Sequence, residues 1–254
     1  MVDRGGRLTT FTPDTVTVPQ IAKLIDHSLL RPELIQDDVR EGCALAARYD
    51  VASVCVRPSD VIGAANLLRD TDVLVGTVIG FPHGSTTTQI KAAETALAVN
   101  HGAAEVDLVL NIGWLRSGHL TEVEADIHAV VEAANGATVK VILENAYLTP
   151  EQIVAGCHTV ERAGAQFVKT STGFASGGAT MADLALMRSA VSPAIQVKAA
   201  GGVRSLDVLL AMANIGVTRF GATATAVILD DLTHRQKYGQ PAGQASTATA
   251  TGGY

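Results

Sequence analysis

The sequence predicts an α/β protein: a single (β/α)8 TIM barrel with a short N-terminal segment and a mobile C-terminal tail. Three observations carry that expectation. About eight short β-branched runs recur along the 254 residues, each followed by an Ala-rich stretch with helical spacing. Strict strand–helix alternation at this length favours a closed parallel barrel. The chain is 47% hydrophobic but only 4% aromatic, which describes an aliphatic core of the kind that parallel strands covered by helices require. No linker or low-complexity tract divides it before about Asp231, so one domain is expected. An open doubly wound sheet is the competing architecture, and no GxGxxG follows the first strand to support it.

Taken in order, the expected strands are residues 24–30, 51–57, 73–80, 104–111, 138–145, 167–172, 195–201 and 219–223. Most are rich in Val, Ile, Leu or Thr and all are of strand length. A helix is expected over about 87–100, with Thr86 and Gln89 spaced as a capping box. Others are expected over 122–134 and 150–163. Thr149 and Gln152 form a second box there, and Pro150 takes the first helical position, where its missing N–H costs nothing. Glycine follows several helices, as in NHGAAEVD and RAGAQFVK, and acts as a stop signal. After about Asp231 the composition turns polar and rich in Gly, Ser, Thr and Ala. The barrel core is therefore placed at about 20–231 and a flexible tail at 232–254.

The net charge of −6 and the absence of a Lys/Arg run argue against a nucleic-acid partner. Cys43, Cys55 and Cys157 lack CxxC spacing and read as buried free thiols of a reducing compartment. The first residues lack the apolar stretch of a signal peptide, and no window holds the ~20 apolar residues of a membrane span. A soluble cytoplasmic protein with no membrane partner is expected. A homodimer is the base-rate assembly.

The strongest chemical signal is charge placed inside strands. Lys169 lies in the sixth, Lys198 in the seventh, Asp107 in the fourth, and Asp26 in or beside the first. Every second residue of a barrel strand points into the lumen, where an unpaired charge is costly. A lysine of ordinary pKa, about 10.4, is protonated at neutral pH and cannot attack a carbonyl. A second ammonium or an apolar pocket lowers that pKa and frees the amine. Adjacent strands can bring Lys198 to Lys169, and Asp107 can balance charge and move protons. The alternative is a buried ion-pair network with no chemistry.

A second signal is glycine with hydroxyls after the late strands: KTSTG (169–173), AAGG (199–202) and GATA (221–224). Glycine lets backbone N–H groups approach an anion, and the loops after the last two strands of a barrel are a recurrent phosphate cradle. A phosphorylated small-molecule substrate is expected. Other polar residues read more plainly. Cys55 faces the lumen by alternation, as packing or as part of the pocket. Glu144 either supports the lysines or forms a structural pair. His27 and His83 sit beside turn signals, and Trp114 packs the loop after the fourth strand. Without HxH or HExxH spacing, no metal site is expected.

The stretches IDHSLL (25–30), VIGFPHG (78–84), EVDLVLNIG (105–113), VKTSTGFASGGAT (168–180) and VKAAGGVRS (197–205) resemble the deoxyribose-phosphate aldolases over about residues 20–230. The resemblance implies a metal-free, cofactor-free barrel that reversibly cleaves 2-deoxy-D-ribose 5-phosphate to D-glyceraldehyde 3-phosphate and acetaldehyde. It makes Lys169 the imine-forming nucleophile, Lys198 its pKa-tuning and proton-transfer partner, and Asp107 a general acid/base acting through water. Asp26 would hold a substrate hydroxyl or a lysine. The terminal Tyr254 would reach the site to assist proton transfer. Cys55, Thr170, Gly173, Gly201, Gly202, Gly221 and Thr223 would line the substrate. Two positions depart from some members: Phe174 stands where they carry a phosphate-contacting lysine, and Thr223-Ala224 where they carry adjacent serines. The backbone amides of Gly202, Ala222 and Thr223 remain available to a phosphate.

Overall fold

Eight parallel strands close on themselves in chain order in the computed structural model, which describes residues 10–239 and 241. They are β1 (Ile25–Leu29), β2 (Ser53–Val56), β3 (Leu74–Ile79), β4 (Glu105–Val109), β5 (Thr138–Ile142), β6 (Phe167–Lys169), β7 (Gln196–Ala200) and β8 (Arg219–Ala222). Pairing of β1 with β8 completes the barrel. All eight expected strands are present, trimmed at one or both ends where the chain turns into a loop.

The helices are α1 (Val18–Ala22), α2 (Gln36–Tyr49), α3 (Val61–Leu67), α4 (Thr88–Asn100), α5 (Ile112–Arg116), α6 (Leu120–Ala133), α7 (Pro150–Arg162), α8 (Met181–Ala190), α9 (Leu206–Asn214) and α10 (Thr225–Tyr238). The start of α7 follows the sequence closely. Thr149 Oγ1 accepts from the Gln152 amide at 3.3 Å, and Gln152 Oε1 accepts from the Thr149 amide at 3.0 Å. Its buried face carries Ile153, Gly156, Cys157 and Val160. Each large aliphatic side chain so covered contributes about 1.5–3 kcal/mol. Gly156 permits the close approach, because a Cβ there would meet Leu115 and Leu143 methyl groups at 3.2 Å.

Two local expectations are corrected. α4 is entered through Thr87, whose carbonyl accepts the amides of Ile90 and Lys91, and its side chain makes no cap, so Thr86 and Gln89 are not a capping box. α10 runs to Tyr238, beyond the expected core boundary at 231. Its polar last turns are held by Arg235, which pairs with Asp231 and Asp207, and by Gln236, which donates to the carbonyls of Pro13 and Val16. His27 lies within β1, inside the strand expected over 24–30. The remainder of the expected tail, Tyr254 included, lies outside the described residues.

Strand alternation sorts the side chains into two environments. Ile25, Val54, Val106, Leu108, Val139, Val141, Val168, Val197 and Phe220 belong to one buried apolar cluster with the helices. That layer is the hydrophobic core. The lumen instead holds Asp26, Glu105, Asp107, Lys140, Lys169, Lys198 and Arg219, joined to one another by ion pairs. Among the described residues no helix is long and apolar enough to cross a membrane.

Candidate active site

The register sets Lys169 of β6 directly beside Lys198 of β7, and Lys198 beside Arg219 of β8. Asp107 of β4 pairs in register with Lys140 of β5. The side chains meet in the lumen. Lys169 Nζ donates to Asp107 Oδ2 at 2.6 Å, and Lys198 Nζ donates to the same oxygen at 2.7 Å. Lys198 also donates to Asp26 Oδ2 at 2.5 Å. Lys140 donates to Glu105 at 2.7 Å and to Asp107 Oδ1 at 3.1 Å, with Asp26 at 3.7 Å. Arg219 closes the network by pairing with Asp26 Oδ1 at 2.6 Å and with Glu105.

Four cationic side chains thus face three carboxylates. With every group ionised one positive charge is in excess, and a buried excess charge is relieved by giving up a proton. The contacts rank the lysines by how firmly each is held. Lys140 reaches three carboxylates and Lys198 two, whereas Lys169 reaches only Asp107, which it shares. Burial lowers the pKa of Lys169, and the positive charge of Lys198 adds to that effect against the pull of Asp107. Burial acts on Lys198 and Lys140 in the same direction, but Asp107 and Asp26 outweigh it and raise both. Burial favours the neutral form of Asp107 and Asp26, yet the surrounding lysines hold both well below the usual carboxylate range.

Above this network, at the C-terminal ends of the strands, opens a cleft of about 490 Å³, open solvent at its mouth included. Lys169, Lys198, Asp26 and Cys55 form its floor and wall, and Gly201, Gly202, Gly221 and Thr223 line its rim. Gly201 and Gly202 turn with φ of +79° and +93°, a conformation that side-chain-bearing residues rarely adopt. Gly201 is also pressed by Gly178 of the preceding loop, whose Cα lies 2.9 Å from where a Gly201 Cβ would stand. Ala179 N donates to the carbonyls of Ala200 and Gly201, fastening that loop over the rim.

Two residues expected against the substrate are placed elsewhere. Thr170 is fully buried, and its hydroxyl joins the Ala200 carbonyl and amide at 3.2 and 3.1 Å, suturing β6 to β7 beneath the cleft. Gly173 lines a neighbouring hollow under the loop that follows β6. Cys55 packs with Leu30, Val78 and Phe81 in a small apolar cluster while still facing the cleft, and burial pushes its thiol up to about 11. Glu144 adopts φ +58° and accepts from the amide and hydroxyl of Thr172, a structural pair that orients a cleft residue. Phe174 sets its ring edge-to-face on Phe81, centroids 5.2 Å apart, at the mouth of an adjoining hollow that His83 also lines. Trp114, in α5, is half-buried against the core.

Residues that the sequence did not single out complete the site. Lys140, Glu105 and Arg219 extend the charge network, and Ser28, Thr172 and Arg204 line the cleft. Lys140 was open to the same argument as Lys169, since TVKVI sets one charge in an apolar strand. The cleft residues carry no comparable signal, because loop paths decide them.

The family of DeoC/LacD aldolases matches residues 20–234. A deoxyribose-phosphate aldolase of Staphylococcus epidermidis is 50% identical over 217 residues, covering 85% of this chain and 99% of that one. One from Exiguobacterium sibiricum is 50% identical over 219 residues, covering 86% and 99%. Among solved structures, a tetrameric deoxyribose phosphate aldolase from Aeropyrum pernix superposes with a TM-score of 0.80 at 28% identity, over 85% of this chain and 92% of that one. With its closed barrel and a lysine-lined cleft at the C-terminal end of the strands, this chain belongs to the DeoC/LacD aldolase family and is an aldolase, a carbon–carbon lyase.

Proposed function

We propose that the chain cleaves 2-deoxy-D-ribose 5-phosphate reversibly to D-glyceraldehyde 3-phosphate and acetaldehyde, through an imine on Lys169. The observation that carries the proposal is the excess of one positive charge in the lumen. It leaves Lys169, the lysine that opens onto the cleft with the fewest carboxylate partners, as the free amine. The relatives named for this reaction supply the substrate.

Neutral Lys169 adds to C1 of the open-chain aldehyde, and loss of water from the carbinolamine gives a protonated imine. Deprotonation of the C3 hydroxyl turns C3 into the aldehyde of the departing glyceraldehyde 3-phosphate. The C2–C3 electron pair moves into an enamine, with the imine nitrogen as sink. Protonation at C2 and hydrolysis by water release acetaldehyde and return the amine. Lys198 holds a proton beside this centre. Asp107 Oδ2, at 2.6 and 2.7 Å from the two nitrogens, is the group through which protons pass, by way of water to the substrate. Asp26 holds Lys198, since its oxygens are taken by Lys198, Ser53 and Arg219. The phosphate sits on the rim of Gly201, Gly202 and Thr223, where the two glycines leave the backbone open to an anion. Tyr254, outside the described residues, is assigned the proton transfer at C2. The reaction disposes of the sugar phosphate left by deoxyribonucleoside breakdown.

Purified protein given deoxyribose 5-phosphate is expected to release acetaldehyde and glyceraldehyde 3-phosphate in equal amounts, with or without a metal chelator. Tight binding without product would make the chain a sugar-phosphate-binding barrel. Product only from another phosphorylated aldol would reassign the substrate.

A further inference from the structure

We propose that His27, which does not itself line the cleft, is a positioning residue for the phosphate rim and so sets the preference for phosphorylated over free deoxyribose. The inference rests on the placement of the phosphate argued above.

Its basis is a junction that lacks a cap of its own. α7, α8 and α9 each begin with a side chain that accepts an amide of the first turn, from Thr149, Thr180 and Ser205. The capping position of α10 is Ala224, which has no such group, directly after the rim residue Thr223. A capping side chain at this position would occupy the first amides of the helix. Ala224 leaves them without a side-chain acceptor, and the turn must then be fixed from another side.

His27 does this from behind. In β1 its neighbours Asp26 and Ser28 line the cleft, while His27 lies opposite Ala222 of β8 and faces the helix layer. Its Nδ1 lies 2.9 Å from the hydroxyl of Thr225, the first residue of α10. Both side chains are buried, and the bond joins residues 198 apart in sequence. It therefore ties the strand that carries Asp26 to the turn that carries Thr223, two residues before the tie. A buried hydrogen bond of this kind resists displacement because each partner, left alone, would be unsatisfied.

The experiment compares His27→Ala and Thr225→Val with wild type on deoxyribose 5-phosphate and on free 2-deoxyribose. The conservative variants His27→Asn and Thr225→Ser are measured beside them. Asn presents a polar atom near the place of Nδ1, and Val replaces Thr at nearly equal volume. Both disruptive variants are expected to raise KM for the phosphorylated sugar by about five- to tenfold, with kcat and the kcat/KM for free deoxyribose little changed. His27→Asn and Thr225→Ser are expected to recover most of the loss. If His27→Ala does not fold, Thr225→Val and its Ser counterpart give the same comparison. An equal loss on both sugars, or no change in a folded variant, would overturn the proposal while leaving the placement of the phosphate intact. A wild-type enzyme with no preference for the phosphorylated sugar would overturn both.

Discussion

Lys91 in α4 and Lys169 in β6 are both buried, both bonded to an aspartate at 2.6 Å, and both pushed downward in pKa first of all by burial. They differ in company and in access. Lys91 bonds to Asp126 of α6, whose other oxygen accepts from Thr88 at 2.8 Å, and it is wholly shut off from solvent. Lys169 belongs to a network of four cations and three carboxylates, and it forms part of a cleft floor. A one-to-one pair is balanced and has no proton to spare. A four-to-three network has one cation too many, and that imbalance makes an amine available for chemistry. A buried lysine with a lowered pKa is therefore not diagnostic by itself. Surplus charge together with access is.

The comparison can be broken at either lysine. The largest effect is expected from Lys169→Met, which should reduce retro-aldol turnover on the order of 10⁵-fold. It leaves three cations with three carboxylates, so thermal stability should stay close to wild type. A large loss of stability would mean that Lys169 is as structural as Lys91. Next is Lys198→Met, expected to reduce kcat by about 10²–10⁴-fold. The same change removes the surplus charge and the cation that lowers the Lys169 pKa, so Lys169 should hold its proton more tightly. The rise of rate with pH should then move to higher pH than in wild type. A shift to lower pH would contradict the charge argument. The smallest expected effect on catalysis is that of Lys91→Met. It strands Asp126 in the core and should cost about 3–5 kcal/mol of stability. Turnover per folded molecule should be unchanged, and replacing Asp126 by Leu as well should restore much of the stability.

The same contrast explains which parts of the molecule could be read beforehand. The barrel was legible because its aliphatic strands and Ala-rich helices alternate without interruption, and Lys169, Lys198 and Asp107 stood out as charges inside such strands. Glu105 and Arg219 open their strands, where charge reads as a loop, and only the closed register brings them together. His27 falls inside the expected first strand, but alternation does not show that its ring reaches the hydroxyl of Thr225 on α10. Thr170 lies inside the strand expected over 167–172, and the sequence does not show that its hydroxyl is taken by the Ala200 backbone rather than left to a substrate. Lys91 carries no signal at all, since a lysine in KAAETALA reads as the solvent face of a helix. Periodicity reports which residues share a face, not which face is closed off by another helix.

The central claim is that one particular amine, at the surplus charge of the lumen, carries the substrate. Borohydride reduction in the presence of acetaldehyde or deoxyribose 5-phosphate, followed by peptide mapping, tests it most directly. The account predicts one irreversible adduct per chain, on Lys169, absent from Lys169→Met and present in Lys91→Met. An adduct on Lys198, Lys140 or Lys91, or none at all, would contradict it.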